Sequence, residues 1–291
     1  MSKPELHAFQ LAQNDPLLQL PAGVVDFLQR PDGTRIRSVS RGQGPTVVLA
    51  HGYLLDLTLY NLVFEALVSA GHRVIAFDQR GHGGSTIGSD GLGSAALAGD
   101  YAALLEHHAV EDGTLVAHSM GAFLSIVLCL REPALVRRRL QKLVLLGANA
   151  GSVAQGSVQN RIQIPLLRFG VTRKLWERPR VGRPLVAQLF GVRPDPRHVE
   201  ATRLCLLRQR EQHSFPMLNA MLHENYYARL GEVSLPVTVL CGELDRTCPR
   251  WHSQRLGAEL PRARNLWLPE LGHMLPYEAP EVVVDAVDPR G

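Results

Sequence analysis

The sequence predicts an α/β domain built on a doubly wound, mostly parallel sheet, with a helical segment inserted between two of its strands. Apolar runs at residues 46–50 and 72–77 have the continuous hydrophobicity of strands buried on both faces. Helix-length segments with apolar residues at helical spacing separate such runs. This alternation stops between residues 151 and 232, where only helical stretches interrupted by prolines occur. Alternating strands and helices imply a parallel sheet that binds its ligand beyond the carboxyl ends of the strands.

Length and composition are those of an ordinary globular protein. A chain of 291 residues can form one α/β domain with an inserted subdomain, and 45% hydrophobic and 20% charged residues are typical values. The net charge of +4 is too small to indicate nucleic-acid binding. No run of about 18 apolar residues predicts a membrane-spanning helix, and residues 1–20 lack the pattern of a signal peptide. We therefore expect a cytoplasmic protein with no integral membrane segment.

The charge is unevenly distributed along the chain. Residues 151–232 contain 13 lysines and arginines but 6 acidic residues, whereas the remainder contains 18 and 21. A basic lobe could attract anionic substrates, although a solvated helical surface is the simpler interpretation. Four cysteines do not form a disulfide scaffold. Cys241 and Cys248 flank one loop and could pair in an oxidising compartment, but we expect reduced thiols.

The first part of the chain predicts an N-terminal arm and the start of the sheet. Residues 1–22 form the arm, with at most a short helix, and residues 23–150 open the core. Two alternating segments around Pro31-Asp32-Gly33 predict a hairpin, because these residue types favour turns. The predicted elements are strands at 24–29, 35–40, 46–50 and 72–77 and helices at 57–70 and 94–108.

Ser119 lies where a predicted strand at 113–116 runs into a predicted helix at 123–130. Small residues, Ala117 and Gly121, flank it two positions away, and a turn this tight is expected to accept nothing larger than a methyl group at either place. The turn holds the serine hydroxyl above the sheet and directs backbone N–H groups and the helix N-terminus towards it. Ser119 is therefore a candidate nucleophile, with a helix-capping serine as the alternative.

The second part of the chain predicts a helical cap and the remaining strands. The cap spans residues 151–232, and residues 233–291 return to the core. Apolar cap residues such as Phe169 and Trp176 are expected on its inner face. The predicted elements are strands at 142–148, 235–242 and 265–269, helical stretches between 161 and 227, and helices at 251–260 and 280–287.

Five stretches resemble the α/β-hydrolase family, one of them the H-G-x segment at residues 51–53, and the resemblance covers about residues 24–287. The elbow around Ser119 resembles the family's G-x-S-x-G motif in its A-x-S-x-G form, which is known among small bacterial lipases. The loop from Asp78 to Ser85 matches D-x-R-G-x-G-x-S. Residues 242–249 match G-x-x-D-x-x-x-P, and residues 272–280 match G-H-x-x-x-x-E-x-P. We expect the charged pair Asp78 and Arg80 to hold its loop rather than to act in catalysis.

The resemblance implies a catalytic triad. Ser119 is the expected nucleophile, Asp245 the acid and His273 the base, in the chain order of this fold. Glu243 is a rival carboxylate that fits the motif less well. The family's H-G-x segment further implies an oxyanion hole made by the backbone N–H groups of Tyr53 and Met120.

The resemblance also implies a pocket roofed by the cap. A packing role beside the elbow is our preferred interpretation of His118, and the His51 side chain is expected to bond its own loop. The residues predicted to line the substrate pocket are His118, Leu54, Phe169, Trp176 and Met274.

These residues predict a serine hydrolase that cleaves a small-molecule carboxylic ester through an acyl-enzyme, with small or medium acyl groups preferred. No cofactor is implied, and the twelve histidines show no H-E-x-x-H or similar spacing, so no metal is predicted. Epoxide hydrolases and haloalkane dehalogenases of this fold need an aspartate where Ser119 stands. Carbon–carbon bond hydrolases usually have G-N-S-x-G-G, which residues 117–122 do not match.

Two groups of alternatives remain open. The same triad would serve a thioesterase, a lactonase or a cofactor-free perhydrolase/haloperoxidase. A non-catalytic ligand-binding protein of the same fold belongs to another class, and an intact triad disfavours it. The sequence is compatible with a monomer or a homodimer.

Overall fold

A computed structural model describes residues 9–209 and 211–288, with the side chains of residues 211–214 outside the description. Its eight strands are β1 (Val24–Gln29), β2 (Arg35–Arg41), β3 (Thr46–Ala50), β4 (Arg73–Phe77), β5 (Gly113–His118), β6 (Leu140–Leu146), β7 (Val237–Gly242) and β8 (Ala263–Leu268). They form one sheet in the order β1-β2-β4-β3-β5-β6-β7-β8. β2 pairs antiparallel with β1 and β4, and the other pairings are parallel. The predicted fold class is confirmed.

Helices cover the sheet and fill the segment between β6 and β7. They are α1 (Asn61–Ser69), α2 (Ser94–His107), α3 (Met120–Arg131), α4 (Pro133–Arg139), α5 (Val158–Arg168), α6 (Val171–Trp176), α7 (Pro179–Ala187), α8 (Pro196–Arg208), α9 (Glu211–His223), α10 (Arg250–Glu259), α11 (Leu275–Glu278) and α12 (Pro280–Val287). Short 3-10 helices occur at Pro16–Leu18, Leu57–Tyr60 and Tyr227–Glu232. None of the helices in the described part of the chain is long and apolar enough to cross a membrane.

The central strands are buried on both faces, as their continuous apolar sequences predict. Every residue of β3 and β5 is buried. Val48 of β3 lies in register with Ile75 of β4 on one side and Leu115 of β5 on the other. The helix α3 is also buried from Met120 to Leu130, which explains why its sequence is apolar on all sides. This core fixes the carboxyl ends of β3, β5, β6 and β7 relative to one another.

Several element boundaries differ from the sequence prediction. The helix after Ser119 begins at Met120 rather than at residue 123, and β6 ends at Leu146 because Gly147 turns the chain with a φ of 51°. The helices α4 and α11 were not predicted, since each has fewer than two full turns in which to show a period. Residues 57–60 form a 3-10 turn before α1.

The segment between β6 and β7 contains α5 to α9 and, among its described residues, no strand. An isolated bridge between Gly151 and Asn225 brings the two ends of this segment together. Prolines at 165, 184 and 216 lie inside helices rather than between them. Each removes one backbone donor but does not end the helix. The limits of the cap at residues 151 and 232 stay a prediction.

The N-terminal arm packs against the rest of the protein over its described residues. Leu17, in a 3-10 turn, is buried in the same apolar cluster as Val199 and Leu206 of α8. The amide of Asn61 at the start of α1 donates to the carbonyls of Pro16 and Gln19. Residues 1–8 of the predicted arm lie outside the described residues. The four cysteines are buried and unpaired, including Cys241 and Cys248.

Candidate active site

Ser119 occupies a strained turn between β5 and α3. Its φ and ψ are 53° and −111°, a left-handed conformation that is uncommon for a residue with a side chain. The turn is held by the Ser119 N–H, which donates to the Leu146 carbonyl at 2.9 Å. A β-carbon at Gly121 would lie 2.5 Å from the Ala50 carbonyl oxygen, so position 121 excludes even the methyl group that the sequence analysis allowed.

Asp245 and His273 form a short hydrogen bond below the surface. The Oδ2 of Asp245 lies 2.7 Å from the Nδ1 of His273, and the two side chains are 0% and 6% exposed. The backbone N–H groups of Thr247 and Cys248 donate to the other carboxylate oxygen of Asp245, each at 2.8 Å. A carboxylate accepting at Nδ1 requires the proton on that nitrogen, which leaves Nε2 of His273 as a proton acceptor. Glu243 instead pairs with Arg250 on the surface.

Gly147 makes room for this pair. A β-carbon at position 147 would lie 2.8 Å from Nδ1 of His273 and 3.0 Å from Oδ2 of Asp245. Any other residue at the end of β6 would therefore displace the histidine or the carboxylate. Its positive φ adds a second reason for glycine at this position.

His118 packs against His273 from the elbow side. Its Nε2 donates to the His273 carbonyl oxygen at 2.9 Å, and the two rings lie 4.7 Å apart between centroids. Burial, with the charge of His273 as a smaller cause, lowers the pKa of His118 well below its usual value. Its Nδ1 faces Gly52, where a β-carbon would approach it to 2.7 Å. A neutral His118 thus contacts both the loop after β3 and the loop of His273.

Glu278 joins the His273 loop to the segment between β6 and β7, which is predicted to be the cap and is called the cap segment below. Its carboxylate accepts hydrogen bonds from the N–H groups of Gly272 and Met274, on either side of His273, and from the N–H of Gly191 in the cap segment. The His273 N–H itself donates to the Leu189 carbonyl at 2.7 Å. Burial raises the pKa of Glu278, and the three backbone donors work against that rise.

The two predicted oxyanion donors lie at the ends of β3 and β5. Tyr53 is in a tight turn closed by a hydrogen bond from the Leu55 N–H to the Gly52 carbonyl. Met120 is the first residue of α3, so its N–H has no acceptor within that helix. The Met120 side chain is fully buried, and its backbone N–H is the group that can serve a ligand. The His51 ring contacts the Gln79 N–H at 3.0 Å and bonds its own loop, as expected.

A cavity of about 120 Å³ lies beside Ser119 and His273, under the cap segment. Ser119, His273 and four of the five predicted pocket residues (His118, Leu54, Trp176 and Met274) line it. A larger open groove of about 850 Å³ lies between residues 81–92 and the end of α8, but it contains none of the predicted site residues. We assign the candidate site to the smaller cavity because Ser119 and His273 both border it.

The predicted position of Phe169 in the pocket is wrong. The sequence analysis places it in the pocket, but its side chain is 77% exposed and does not line the cavity. Helix α5 turns Asn160, Ile164 and Leu167 towards the cavity, which is the i, i+4, i+7 face of a helix. Phe169 follows two residues later, after the helix has ended, and points away from that face.

The sequence motifs predict no role for Gly147 or Glu278. A glycine at the end of the predicted strand was a visible signal for a sharp turn, but not for contact with His273. Glu278 stands in the matched motif around His273, yet its contact with Gly191 crosses 87 residues and cannot be read from spacing.

Comparisons with known proteins agree with this architecture. An esterase from Exiguobacterium antarcticum superposes with a TM-score of 0.79 over 91% of this chain and 97% of that one, at 20% sequence identity, which concerns the fold alone. A non-heme chloroperoxidase, CPO-A1, from Kitasatospora aureofaciens is 44% identical over 90 residues, which are 31% of this chain and only 33% of that protein.

A longer match extends over most of the chain. A 2-hydroxy-6-oxononadienedioate/2-hydroxy-6-oxononatrienedioate hydrolase from Paraburkholderia xenovorans (strain LB400) is 26% identical over 253 residues, 82% of this chain and 84% of that protein. The alpha/beta hydrolase family profile matches residues 47–286, which include the elbow, the Asp245 loop and the His273 loop. This chain therefore belongs to the alpha/beta hydrolase family.

Proposed function

We propose that this chain is a serine hydrolase that cleaves carboxylic esters through an acyl-enzyme. The observation that carries the proposal is the 2.7 Å hydrogen bond between Asp245 and His273 beside a cavity that Ser119 also lines. A serine hydroxyl needs a neighbouring base to become a nucleophile near neutral pH. We propose that His273 is this base, because the tautomer with the proton on Nδ1 leaves Nε2 unprotonated.

In the proposed reaction Ser119 Oγ attacks the ester carbonyl while His273 Nε2 accepts its proton. The resulting imidazolium is stabilised by Asp245 and returns the proton to the departing alcohol. The N–H groups of Tyr53 and Met120 are proposed to bind the oxyanion, a contribution of about 3–4 kcal/mol for each donor. Water, deprotonated by His273, then cleaves the acyl-enzyme and restores Ser119. All these groups belong to this chain.

The cavity supports small acyl groups. Its volume of about 120 Å³ is below the roughly 300 Å³ at which pockets for drug-sized ligands begin. Leucines, a tryptophan and methionines dominate its wall, and polar contacts come from a few side chains such as Asn160 and Gln163. We expect acetyl and butyryl esters to react faster than esters of long fatty acids.

Perhydrolysis is a second candidate, favoured by the similarity to the chloroperoxidase over 90 residues. Hydrogen peroxide would attack the same acyl-enzyme in place of water, which would release a peroxyacid and regenerate Ser119. The test is peroxyacid formation from an acetate ester and hydrogen peroxide. If ester hydrolysis is at least tenfold faster than peroxyacid formation at matched acyl donor, hydrolysis is the main activity.

The deciding experiment is hydrolysis of p-nitrophenyl esters from acetate to palmitate by the wild type and by Ser119→Ala. We expect nitrophenol release with a burst of one equivalent where deacylation is slow, a preference for short chains, and a loss of about 10⁴-fold in kcat/KM for Ser119→Ala. A matched control is Ser253→Ala, because Ser253 is another buried serine, in α10 and outside the cavity.

The control should keep wild-type activity. Equal, slow release by the wild type and by Ser119→Ala would overturn the proposal. Binding of the ester without any burst would then favour a ligand-binding protein, whereas turnover of thioesters or lactones that depends on Ser119 would retain the triad and change the substrate class.

A further inference from the structure

Three side chains capable of binding a metal ion meet at the edge of the sheet. One carboxylate oxygen of Asp26, in β1, and one ring nitrogen each of His107 and His108, at the end of α2, lie within 4.8 Å of one another. Among the described residues, these three donors form one group close enough to hold a metal ion. The tightest pair is His107 Nε2 and Asp26 Oδ2, which are 2.7 Å apart.

Neighbouring groups orient two of these side chains. The Phe27 N–H donates to Oδ1 of Asp26 at 2.7 Å, which leaves Oδ2 directed at His107. The Ser38 hydroxyl lies 3.0 Å from Nε2 of His108 and fixes the plane of that ring. In known metal sites, histidine and carboxylate ligands are held in place by hydrogen bonds to neighbouring groups that do not contact the metal themselves.

The local charge also favours a cation. Both histidines stand at the C-terminus of α2, where the helix dipole places a partial negative charge. Asp26 adds a carboxylate, and Arg73, whose guanidinium donates to the His108 carbonyl, is the opposing charge nearby. Two imidazoles and one carboxylate are donors that suit Zn²⁺ and similar divalent ions.

We propose that Asp26, His107 and His108 form a binding site for a divalent transition-metal ion of the Zn²⁺ type, completed by water. Tetrahedral ligands at 2.0–2.1 Å from zinc are about 3.3 Å apart. The His107–Asp26 pair must therefore open from 2.7 Å, and donor distances of up to 4.8 Å must close to that value. Asp26 and His107 have side chains 45% and 32% exposed and are free to make that adjustment. The bound ion would clamp the hairpin edge of the sheet to α2.

This site is separate from the candidate active site. The strand order places β1 four strands away from β5, and at a strand spacing of 4.8 Å the two sites are about 19 Å apart across the sheet. Spacing along the sequence gives no indication of it, because Asp26 and His107 are 81 residues apart. The sequence analysis, which predicts no metal, therefore differs from this proposal.

The test uses untagged full-length protein stripped with a chelator and titrated with ZnCl₂ by calorimetry. Co²⁺ provides a second readout, since tetrahedral coordination by nitrogen and oxygen gives a visible absorption band. We expect one equivalent of Zn²⁺ to bind the wild type and to raise Tm. Removing a ligand in His107→Ala or Asp26→Asn should weaken binding by at least about 100-fold, and Ser38→Ala by about 10-fold.

A matched control is Asp288→Asn. Asp288 is the exposed partner of His72, a histidine–carboxylate pair with a 2.9 Å contact that is not in a group of three donors. The Asp288→Asn variant should bind Zn²⁺ with the same affinity as the wild type. The proposal is overturned if the wild type shows no saturable binding, or if His107→Ala and Asp26→Asn both bind as tightly as the wild type.

Discussion

Gly147 shows how one missing side chain shapes the candidate site. Its position at the end of β6 lies against both partners of the Asp245–His273 hydrogen bond. Because Asp245 is locked by two further backbone donors, the histidine is the partner that must yield to an added methyl group. A displacement of about 1 Å at a catalytic group costs about 100-fold in rate.

We therefore expect Gly147→Ala to lower kcat on p-nitrophenyl acetate by about 100-fold and to leave KM within about threefold. The matched control is Gly33→Ala. Gly33 also has a positive φ, 86°, but no atom lies within 4 Å of the added β-carbon, so this variant shares the backbone strain and not the contact. Steady-state kinetics and thermal unfolding of both variants separate the two effects. Full activity in Gly147→Ala would contradict the proposed role of the His273–Asp245 pair.

We expect His118 to act through its neighbours rather than on a substrate proton. A histidine with a strongly lowered pKa stays neutral at working pH, so its Nε2 keeps the proton that it donates to the His273 carbonyl. Its Nδ1 is buried and has no hydrogen-bond partner among the described residues. We infer that the side chain is a spacer between the elbow, the Gly52 loop and His273, and the packing role predicted from its position beside the elbow stays a prediction.

At the level of elements, the cap segment is connected to the loop between β8 and α11, which carries His273. Three backbone N–H groups, from Gly191, Gly272 and Met274, converge on Glu278, and Leu189 accepts the His273 N–H. The short segment between α7 and α8 is thus fixed to the loop that presents the histidine. A shift of the cap segment should therefore change the position of His273.

Replacing Glu278 with glutamine tests this connection. The amide group of Glu278→Gln brings a donor where three donors already converge, so at least one N–H group loses its acceptor. We expect kcat to fall by about 10- to 100-fold, together with a lower Tm. The control is Glu281→Gln, an exposed glutamate in α12 that makes no such bonds. Comparable activity in both variants would show that the histidine loop holds its position without Glu278.

Sequence patterns predicted the elements that carry their own periodicity and missed those defined by contacts between distant residues. The buried strands and the elbow followed from local apolar runs and small residues around Ser119. Phe169 was misplaced because hydrophobicity alone does not say where α5 ends. The contacts of Glu278 with Gly191 and of Asp26 with His107 join parts of the chain that only the folded sheet brings together.

For the whole molecule, buried neutral histidines make stability depend on pH. Burial, with the nearby charge of His82 as a smaller cause, lowers the pKa of His51 to about 3. Burial also lowers the pKa of His82 to about 4 and of His252 to about 3, and that of His118 falls well below its usual value. In the unfolded chain the same side chains take up a proton near pH 6.5.

Each of these four histidines stabilises the fold fully above pH 6.5 and loses that contribution as the pH falls towards its folded-state pKa. Asp78 has the opposite effect on the pH dependence of stability. Burial, with the charge of Asp56 as a smaller cause, raises the pKa of its carboxyl group to about 6. The folded protein therefore takes up one proton near pH 6 that the unfolded chain binds only near pH 4. From these five groups alone, about three more protons bind to the unfolded than to the folded state between pH 6 and 5.

At 1.36 kcal/mol for each proton and pH unit, the free energy of unfolding should fall by about 4 kcal/mol between pH 6 and pH 5. Between pH 8 and 7 it should change by less than about 1 kcal/mol, since an unfolded histidine is only about a quarter protonated at pH 7. Urea unfolding at each pH measures the slope. His252→Phe keeps a ring beside Trp251 but cannot be protonated, so its slope should be smaller by about 1.4 kcal/mol per pH unit. Stability that stays constant from pH 7 to 4.5 would mean that the buried histidines accept protons without unfolding the chain.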